Sequence, residues 1–286
     1  MKNIIIRVLR VVPDKMYLSI FYFFKMKKFM NWKNPKTYTQ KAQWLKVYDR
    51  DPRYTKMVDK SEAKKYVADI IGCEYIIPTY GVWDNYDDIP FDELPDKFVI
   101  KPTHDSGSLI ICRDKSKLNH ISAKKKLEST LKNCYYDYGR EWPYKGVKPR
   151  ILVEEYMEES NSATQTLTDY KFFCFDGEPK IIMTVIGGHE DESQVSRQMY
   201  DPNWKLYEVG IRGKKFIDNP QPRPENLDKM LELARKLSSG HRHLRVDFYD
   251  INGKIYFGEL TFFHMSGIET FVPKSFDKTF GDFINI

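Results

Sequence analysis

Arg245-Val246-Asp247-Phe248-Tyr249-Asp250-Ile251-Asn252-Gly253-Lys254-Ile255-Tyr256-Phe257-Gly258-Glu259-Leu260-Thr261 alternates apolar and polar residues on both sides of an Asn-Gly pair. That is the pattern of two antiparallel strands joined by a tight turn. Side chains alternate along a strand, so the turn length decides whether the acids meet. A two-residue turn at Asn252-Gly253 sets Asp247 opposite Gly258 and sends Glu259 to the other face. A three-residue turn, Ile251 to Gly253, sets Asp247 opposite Phe257 and Arg245 opposite Glu259, so that Arg245, Asp247, Glu259 and Thr261 share a face. Asp247 and Glu259 would then be diagonal neighbours roughly 7–8 Å apart, close enough for one hard cation between them. The plain alternative is a hairpin with a wet polar face.

The 286 residues suffice for one large domain or for lobes sharing a core. Cys73, Cys112, Cys134 and Cys174 are far apart and include no Cys-x-x-Cys pair, which argues for a reducing compartment, here the cytoplasm, and against a disulfide framework or zinc site. The net charge of +6 sits entirely in residues 1–28, where seven Lys and Arg residues face Asp14 alone. Apolar runs there are too short to span a bilayer, and no small-residue cleavage site marks a signal peptide. The segment reads either as a helical hairpin docked on the main body or as a peripheral contact with the inner face of a membrane. The neutral remainder carries no nucleic-acid-binding module.

Upstream of the hairpin, Thr37 and Gln40 form a capping box for a helix through Trp44, Leu45 and Tyr48. Asp59-Lys60-Ser61-Glu62 opens a second helix, with Ala63, Tyr66, Val67, Ile70 and Ile71 at helical spacing and Gly72 at its end. Lys60 is a cation in a first turn, where the helix dipole disfavours it unless an anion is near. Ile76 to Trp83 reads as a strand. Phe98-Val99-Ile100-Lys101 is a buried strand that ends in a lysine and runs into the small, polar loop Pro102 to Ser108, an arrangement suited to phosphate, although it lacks the Walker A spacing. Leu109 to Cys112 returns from that loop. A basic helix is expected from Ser122 to Tyr138, with Leu127, Leu131 and Tyr135 inward. Ile151 to Met157 is a strand running into Glu154-Glu155-Tyr156-Met157, and Asp169 to Phe175 turns through Asp176-Gly177 into Pro179 to Val185, with Asp169 and Lys171 on one face. A helix from Glu225 to Ser239 feeds the Asp247 hairpin.

The order of these parts resembles the ATP-grasp superfamily, and more closely the TupA-like ATP-grasp proteins, the group named for teichuronopeptide biosynthesis. The resemblance covers Asn34 to Gly267. It rests on Asn34-Pro35-Lys36-Thr37-Tyr38 with Gln43-Trp44-Leu45-Lys46, Asp59-Lys60 with Tyr66-Val67, and Phe98-Val99-Ile100-Lys101-x-x-His104-x-Ser106-Gly107. Asp169-Tyr170-Lys171-Phe172-Phe173 with Asp176-Gly177, and Arg245 to Tyr249 with Phe257 to Thr261, complete it.

The resemblance implies an α+β, ATP-grasp fold in which two α+β lobes grip ATP. It divides the chain into a basic N-terminal helical segment (1–58), an N-terminal α/β part (59–95), a small lobe with the phosphate loop (96–153) and a large lobe with the metal site (154–286). ATP and Mg2+ are the implied cofactors. Lys60, Lys101 and Lys171 correspond to phosphate-binding lysines, and Ser106, Gly107 and Ser108 to the phosphate loop. Glu154, Glu155, Tyr156 and Met157 correspond to the hinge that meets adenine. Asp247 and Glu259, with Thr261 in the place of the family's Asn, correspond to the metal site, and Arg245 to a γ-phosphate contact. Lys64 stands where the group has Arg, and Asp105 replaces a loop glycine. Lys101, Arg245 and Lys171 would stabilise the transferring phosphoryl group, while Arg197, Arg212 and His104 are candidates for the substrate carboxylate.

The implied activity is a ligase that phosphorylates a carboxylate and forms an amide (C–N bond) with an amine, in surface or capsular polysaccharide biosynthesis. Its partners would be a small-molecule or lipid-linked saccharide carboxylate, of uronic-acid type, and an amine. Two other readings stand beside it. Asp49-Arg50-Asp51 has the Asp-x-Asp form of a glycosyltransferase metal site, and the altered Asp105 and Thr261 would suit a non-catalytic scaffold. On the metal assignment, Asp247→Asn and Glu259→Gln are expected to abolish turnover with little loss of stability, their charges lying in a solvated cleft.

Overall fold

The structure is a computed structural model that describes residues 10–105, 107–158, 167–187, 195–214 and 219–286. It divides the chain into two compact units, Met1–Arg50 with Glu159–Ile286, and Asp51–Glu158.

The first unit begins with helix α1, Asp14–Met26, which has an acid in its first turn and ends where Lys27 adopts a left-handed conformation (φ 56°). Leu18, Phe21 and Tyr22 form its buried side, and the Tyr22 hydroxyl meets Thr39 Oγ1 at 3.1 Å. Of the N-terminal segment expected as a helical hairpin or a membrane contact, α1 is the described helix, and its buried side packs on its own unit. Helix α2, Tyr38–Tyr48, starts at the Thr37 cap, which accepts from Gln40 N; the Gln40 side chain reaches back to Lys36 N.

The second unit opens with α3, Tyr54–Val58, and α4, Lys60–Ile71, whose cap Asp59 accepts from Ser61 N and Glu62 N. Ala63, Val67 and Ile71 are its buried stripe. The strands β1 (Thr79–Trp83), β2 (Phe98–Pro102) and β3 (Ile110–Cys112) follow. Helix α5, His120–Leu131, starts at an Asn119 cap and stops at Leu131, and a separate turn of helix, α6 (Tyr136–Gly139), replaces the expected continuation to Tyr138. Strand β4, Ile151–Glu155, completes an antiparallel sheet of order β1-β4-β2-β3. Phe98, Ile100, Cys112, Leu127, Ile151 and Val153 build its core.

The chain then returns to the first unit with β5 (Asp169–Phe175) and β6 (Glu178–Ile186), joined through Asp176 and Gly177, both at positive φ. Strands β7 (Ser196–Tyr200) and β8 (Gly210–Ile211), helix α7 (Leu227–Ser238), and strands β9 (His243–Ile251) and β10 (Lys254–Thr261) come next. A short β11 (Phe271–Val272) pairs with β8, and α8 (Phe276–Asp282) packs on α2, where Asp277 accepts from the Thr39 N–H and hydroxyl. The main sheet is antiparallel, of order β10-β9-β5-β6-β7. Helix α7 covers it with Leu227, Met230, Leu231, Leu233, Ala234 and Leu237, and Leu244, Val246 and Phe248 of β9 are wholly buried.

The β9–β10 hairpin corrects the expected geometry. Its turn is the two-residue one, with Asn252 (φ 52°) and Gly253 (φ 76°) both left-handed as a tight hairpin turn of this hand requires, and Phe257 pairs with Phe248. The register then shifts between Phe257 and Glu259, so that Glu259 lies directly opposite Asp247 and Thr261 opposite Arg245. One extra residue, Gly258, is a β-bulge that reverses the parity set by the turn. The acids share a face after all, as directly paired residues. A Cβ on Gly258 would lie 3.1 Å from the Tyr249 ring and 3.3 Å from the Asp247 carbonyl, which explains glycine there.

Candidate active site

In the first unit, β9, β5 and β10 place one charged cluster on a single face. Lys171 is the cross-strand partner of Asp247, and Glu259 its partner on the other side. Asp247 Oδ1 accepts from Arg245 Nε at 2.7 Å, and its Oδ2 accepts from Arg245 Nη2 and Lys171 Nζ, each at 2.7 Å. Lys171 also bonds Asp169, and Arg245 Nη2 reaches Glu259 Oε2 at 3.3 Å. The remaining arm of Arg245, Nη1, lies 2.7 Å from His264 Nδ1. Asp247 is 2% exposed and Arg245 6%, so this part of the face is buried rather than a solvated cleft. Glu259 is the accessible member.

The electrostatics follow from that burial. Burial pushes the Asp247 carboxyl up, but the adjoining Arg245 and Lys171 charges outweigh it and hold Asp247 below its ordinary range. Asp169 is raised, by burial first and by the Asp247 charge, against the pull of Lys171. Burial keeps His264 below its usual value, hence neutral. With Arg245 donating to Nδ1, the neutral ring carries its proton on Nε2, which lies 3.5 Å from Glu269.

Among the described residues, no group of three His, Cys, Asp or Glu side chains is placed to hold a metal by itself. Magnesium seldom needs one, since one or two carboxylates with substrate phosphates suffice. The donors here fit that use. They are hard oxygens, Glu259 sits directly opposite Asp247, and two buried oxygens on this unit, Asp169 Oδ1 and Thr261 Oγ1, have no hydrogen-bond partner.

In the second unit, Glu154 lies fully buried between two lysines. Lys101 bonds Glu154 Oε1, and Lys64 bonds Oε2 at 2.6 Å. Burial opposes ionisation, but the Lys101 and Lys64 charges prevail and hold the Glu154 carboxyl at about 2. Lys64 further donates to Ile77 O and Thr79 Oγ1, which makes it a structural post, and burial lowers it. Lys101 is the more exposed of the two. Lys60 donates to the Asp105 carbonyl and has the Asp105 carboxylate 3.9 Å away. Arg150 ties the α4 start together through Asp59 (3.2 Å) and Glu62 (3.4 Å). Gly107 is at φ 92° with open space beside it, while Ser106 lies outside the described residues.

The other residues singled out in the sequence are more dispersed. His104 is buried, with Nε2 on Thr130 O. The Glu155 N–H is taken by Pro78 O, and Tyr156 lies under Lys97 and Arg113 at 5.9 and 5.7 Å. Arg197 lies on β7, and Arg212 follows β8, its N–H on Thr270 O. Asp51, of the Asp-x-Asp triplet, is occupied by the Arg53 guanidinium and N–H.

Two members of the first cluster escaped the sequence, His264 and Glu269, while Asp169, read there as sharing a face with Lys171, was given no role in the site. His264 had none, because a left-handed run at Met265, Ser266 and Gly267 brings it back to Arg245, and buried Gln43 and Lys46 hold that run through the Ser266 and Gly267 carbonyls.

The model of one family, TupA-like ATP-grasp, matches residues 40–285. Solved structures similar to the chain include the D-alanine–D-alanine ligase of Bacillus anthracis complexed with ATP, at 17% identity and a TM-score of 0.40, covering 78% of this chain and 55% of that one. The Helicobacter pylori D-alanine–D-alanine ligase matches at 16% identity and a TM-score of 0.40, covering 78% and 61%. The L-amino acid ligase of Bacillus licheniformis matches at 13% and 0.44, covering 80% and 48%. The chain thus spans about half to three fifths of the length of these structures. No curated protein matches it.

Proposed function

The chain belongs to the TupA-like ATP-grasp family, and from that premise we propose that it is an ATP-dependent ligase joining a carboxylate to an amine. The observation that supports this most is the Asp247–Glu259 pair, set face to face by the Gly258 bulge and flanked by Lys171 and Arg245. Two carboxylates with adjoining cations suit a metal–phosphate complex.

In this reading the carboxylate substrate attacks the γ-phosphorus of ATP, the bond to the β-phosphate oxygen breaks, and ADP leaves. The acyl phosphate so formed is attacked by the amine, which loses a proton as inorganic phosphate departs and the amide forms. Asp247 and Glu259, with Thr261 beside them, would hold Mg2+, which when bound neutralises phosphate charge. Lys60 and Lys101 supply cations for nucleotide phosphate, and Ser106, Gly107 and Ser108 offer loop donors. Glu154 acts by aiming Lys101, and the strand end at Glu155, Tyr156 and Met157 meets the adenine edge. Lys171 and Arg245 stabilise charge developing on the transferring group, chiefly by fixing Asp247, since Arg245 is nearly buried. Arg197, Arg212 and His104 are assigned to the substrate carboxylate.

The substrate carboxylate is taken to be of uronic-acid type, in surface or capsular polysaccharide assembly, and the protein to work in the cytoplasm at the inner face of the membrane. Two measurements test the chemistry together. ADP release is screened across amines and sugar acids with Mg-ATP, and an acceptor labelled with oxygen-18 in its carboxylate must pass one label to the released phosphate. Absence of label from phosphate during turnover would refute the acyl-phosphate step.

A further inference from the structure

Helix α1 is apolar on two sides. Leu18, Phe21 and Tyr22 are buried against its own unit, while Met16, Ile20, Phe23 and Phe24 are exposed, Phe24 to 65%. A surface helix ordinarily sets a polar face against one apolar stripe. Phe29, 83% exposed, extends the outer patch by stacking on Phe23, with ring centroids 5.0 Å apart. Cations neighbour it in sequence, Lys25, Lys27 and Lys28, with Lys27 Nζ 5.9 Å from the Phe24 ring. The one acid within residues 1–33, Asp14, is bound to Arg50 at 3.2 Å.

We propose that this face seats the protein on an anionic lipid surface, with Ile20, Phe23, Phe24 and Phe29 entering the boundary between headgroups and acyl chains and the neighbouring cations on lipid phosphates. Charge complementarity selects this occupant. The face combines exposed aromatic rings with a net positive charge in its segment, the pairing that interfacial helices use, whereas a second copy would set cation against cation. Among the described residues no helix is long and apolar enough to cross a membrane, so the contact is one of lying on the surface. The binding requires neither nucleotide nor amine and stands apart from the ligase reading.

The test is cosedimentation of the full chain, without ATP, with vesicles of phosphatidylglycerol and phosphatidylcholine and with vesicles of phosphatidylcholine alone, at low and high salt. Binding to the anionic vesicles that weakens with salt is expected. The double variant Ile20→Asn/Phe24→Asn, changed at exposed positions and so keeping its thermal midpoint, should partition about tenfold or more less strongly. Lys25→Gln/Lys28→Gln should lose the preference for anionic vesicles. Failure of the full chain to bind anionic vesicles, or undiminished binding by Ile20→Asn/Phe24→Asn, overturns the proposal. So does self-association in ultracentrifugation that this variant abolishes without any vesicle binding, which would assign the face to a second copy.

Discussion

Replacing Asp247 by Asn and Glu259 by Gln separates the two carboxylates by their surroundings. The Asp247 carboxylate is almost fully buried and accepts three hydrogen bonds of 2.7 Å from Arg245 and Lys171. An amide of the same shape keeps one acceptor oxygen but turns an N–H2 toward a cation and leaves two buried cations short of their central anion. Removing one member of a buried pair costs about 3–5 kcal/mol. Asp169 and Glu259 remain to share the charge, which favours the lower end. Glu259 is 28% exposed at its side chain and meets Arg245 through one 3.3 Å contact, so Glu259→Gln should cost less than about 1 kcal/mol. In urea unfolding followed by circular dichroism, Asp247→Asn should move the midpoint several times further than Glu259→Gln at similar slope. In a Lys171→Met background the cost of Asp247→Asn should shrink by about 1–3 kcal/mol, because the pair is coupled. Equal costs for the two single variants, or an Asp247→Asn cost below about 1 kcal/mol, would refute the assignment of Asp247 as the buried centre of this network. Both variants should lose stabilisation by Mg-ATP, which thermal shift reads separately.

Glu154 predicts acid sensitivity in the second unit. Its folded value of about 2 lies below the ordinary 4.5, so its stabilisation is complete above about 4.5 and is lost as pH falls toward 2; Glu154→Gln should flatten the stability profile by about 3 kcal/mol across that window. His243, stacked on Phe175 and donating from Nδ1 to Cys174 O, is held by burial at about 4 against an ordinary 6.5. It is neutral when folded, so stability declines as pH falls from 6.5 toward 4, and His243→Phe should remove that slope in pH-resolved thermal melts. At the bulge, Gly258→Val forces a side chain against the Tyr249 ring and the Asp247 carbonyl; the variant should lose about 1–3 kcal/mol and its response to Mg-ATP, and an unchanged Mg-ATP shift would remove the bulge from the site.

Much of the fold was legible before the structure. The Asp59 cap with Ala63, Val67 and Ile71 gave α4 its limits, and the Asp176-Gly177 and Asn252-Gly253 pairs marked hairpins that exist. Where reading by pattern failed, local signals were shared by two structures. The Ser122 to Tyr138 stretch has helical spacing throughout, yet the chain leaves the helix after Leu131 and forms only one further turn from Tyr136. Glu154, expected at a hinge, serves as a buried anion between Lys64 of α4 and Lys101 of β2, a role that depends on elements far apart in sequence.

By itself the sequence determined most of the elements that build the two sheets, their order, the resemblance to the family and the residue types that carry charge, because capping, alternation and turn chemistry act over a few residues. Only the tertiary structure decided which charges meet. The turn at Asn252-Gly253 alone would have sent Asp247 and Glu259 to opposite faces, and Gly258 returns them to one, since a bulge adds a residue without adding a partner. Likewise burial converts Asp247 from a free carboxylate into the anchor of Arg245 and Lys171, and burial belongs to the packed sheet and not to any stretch of chain.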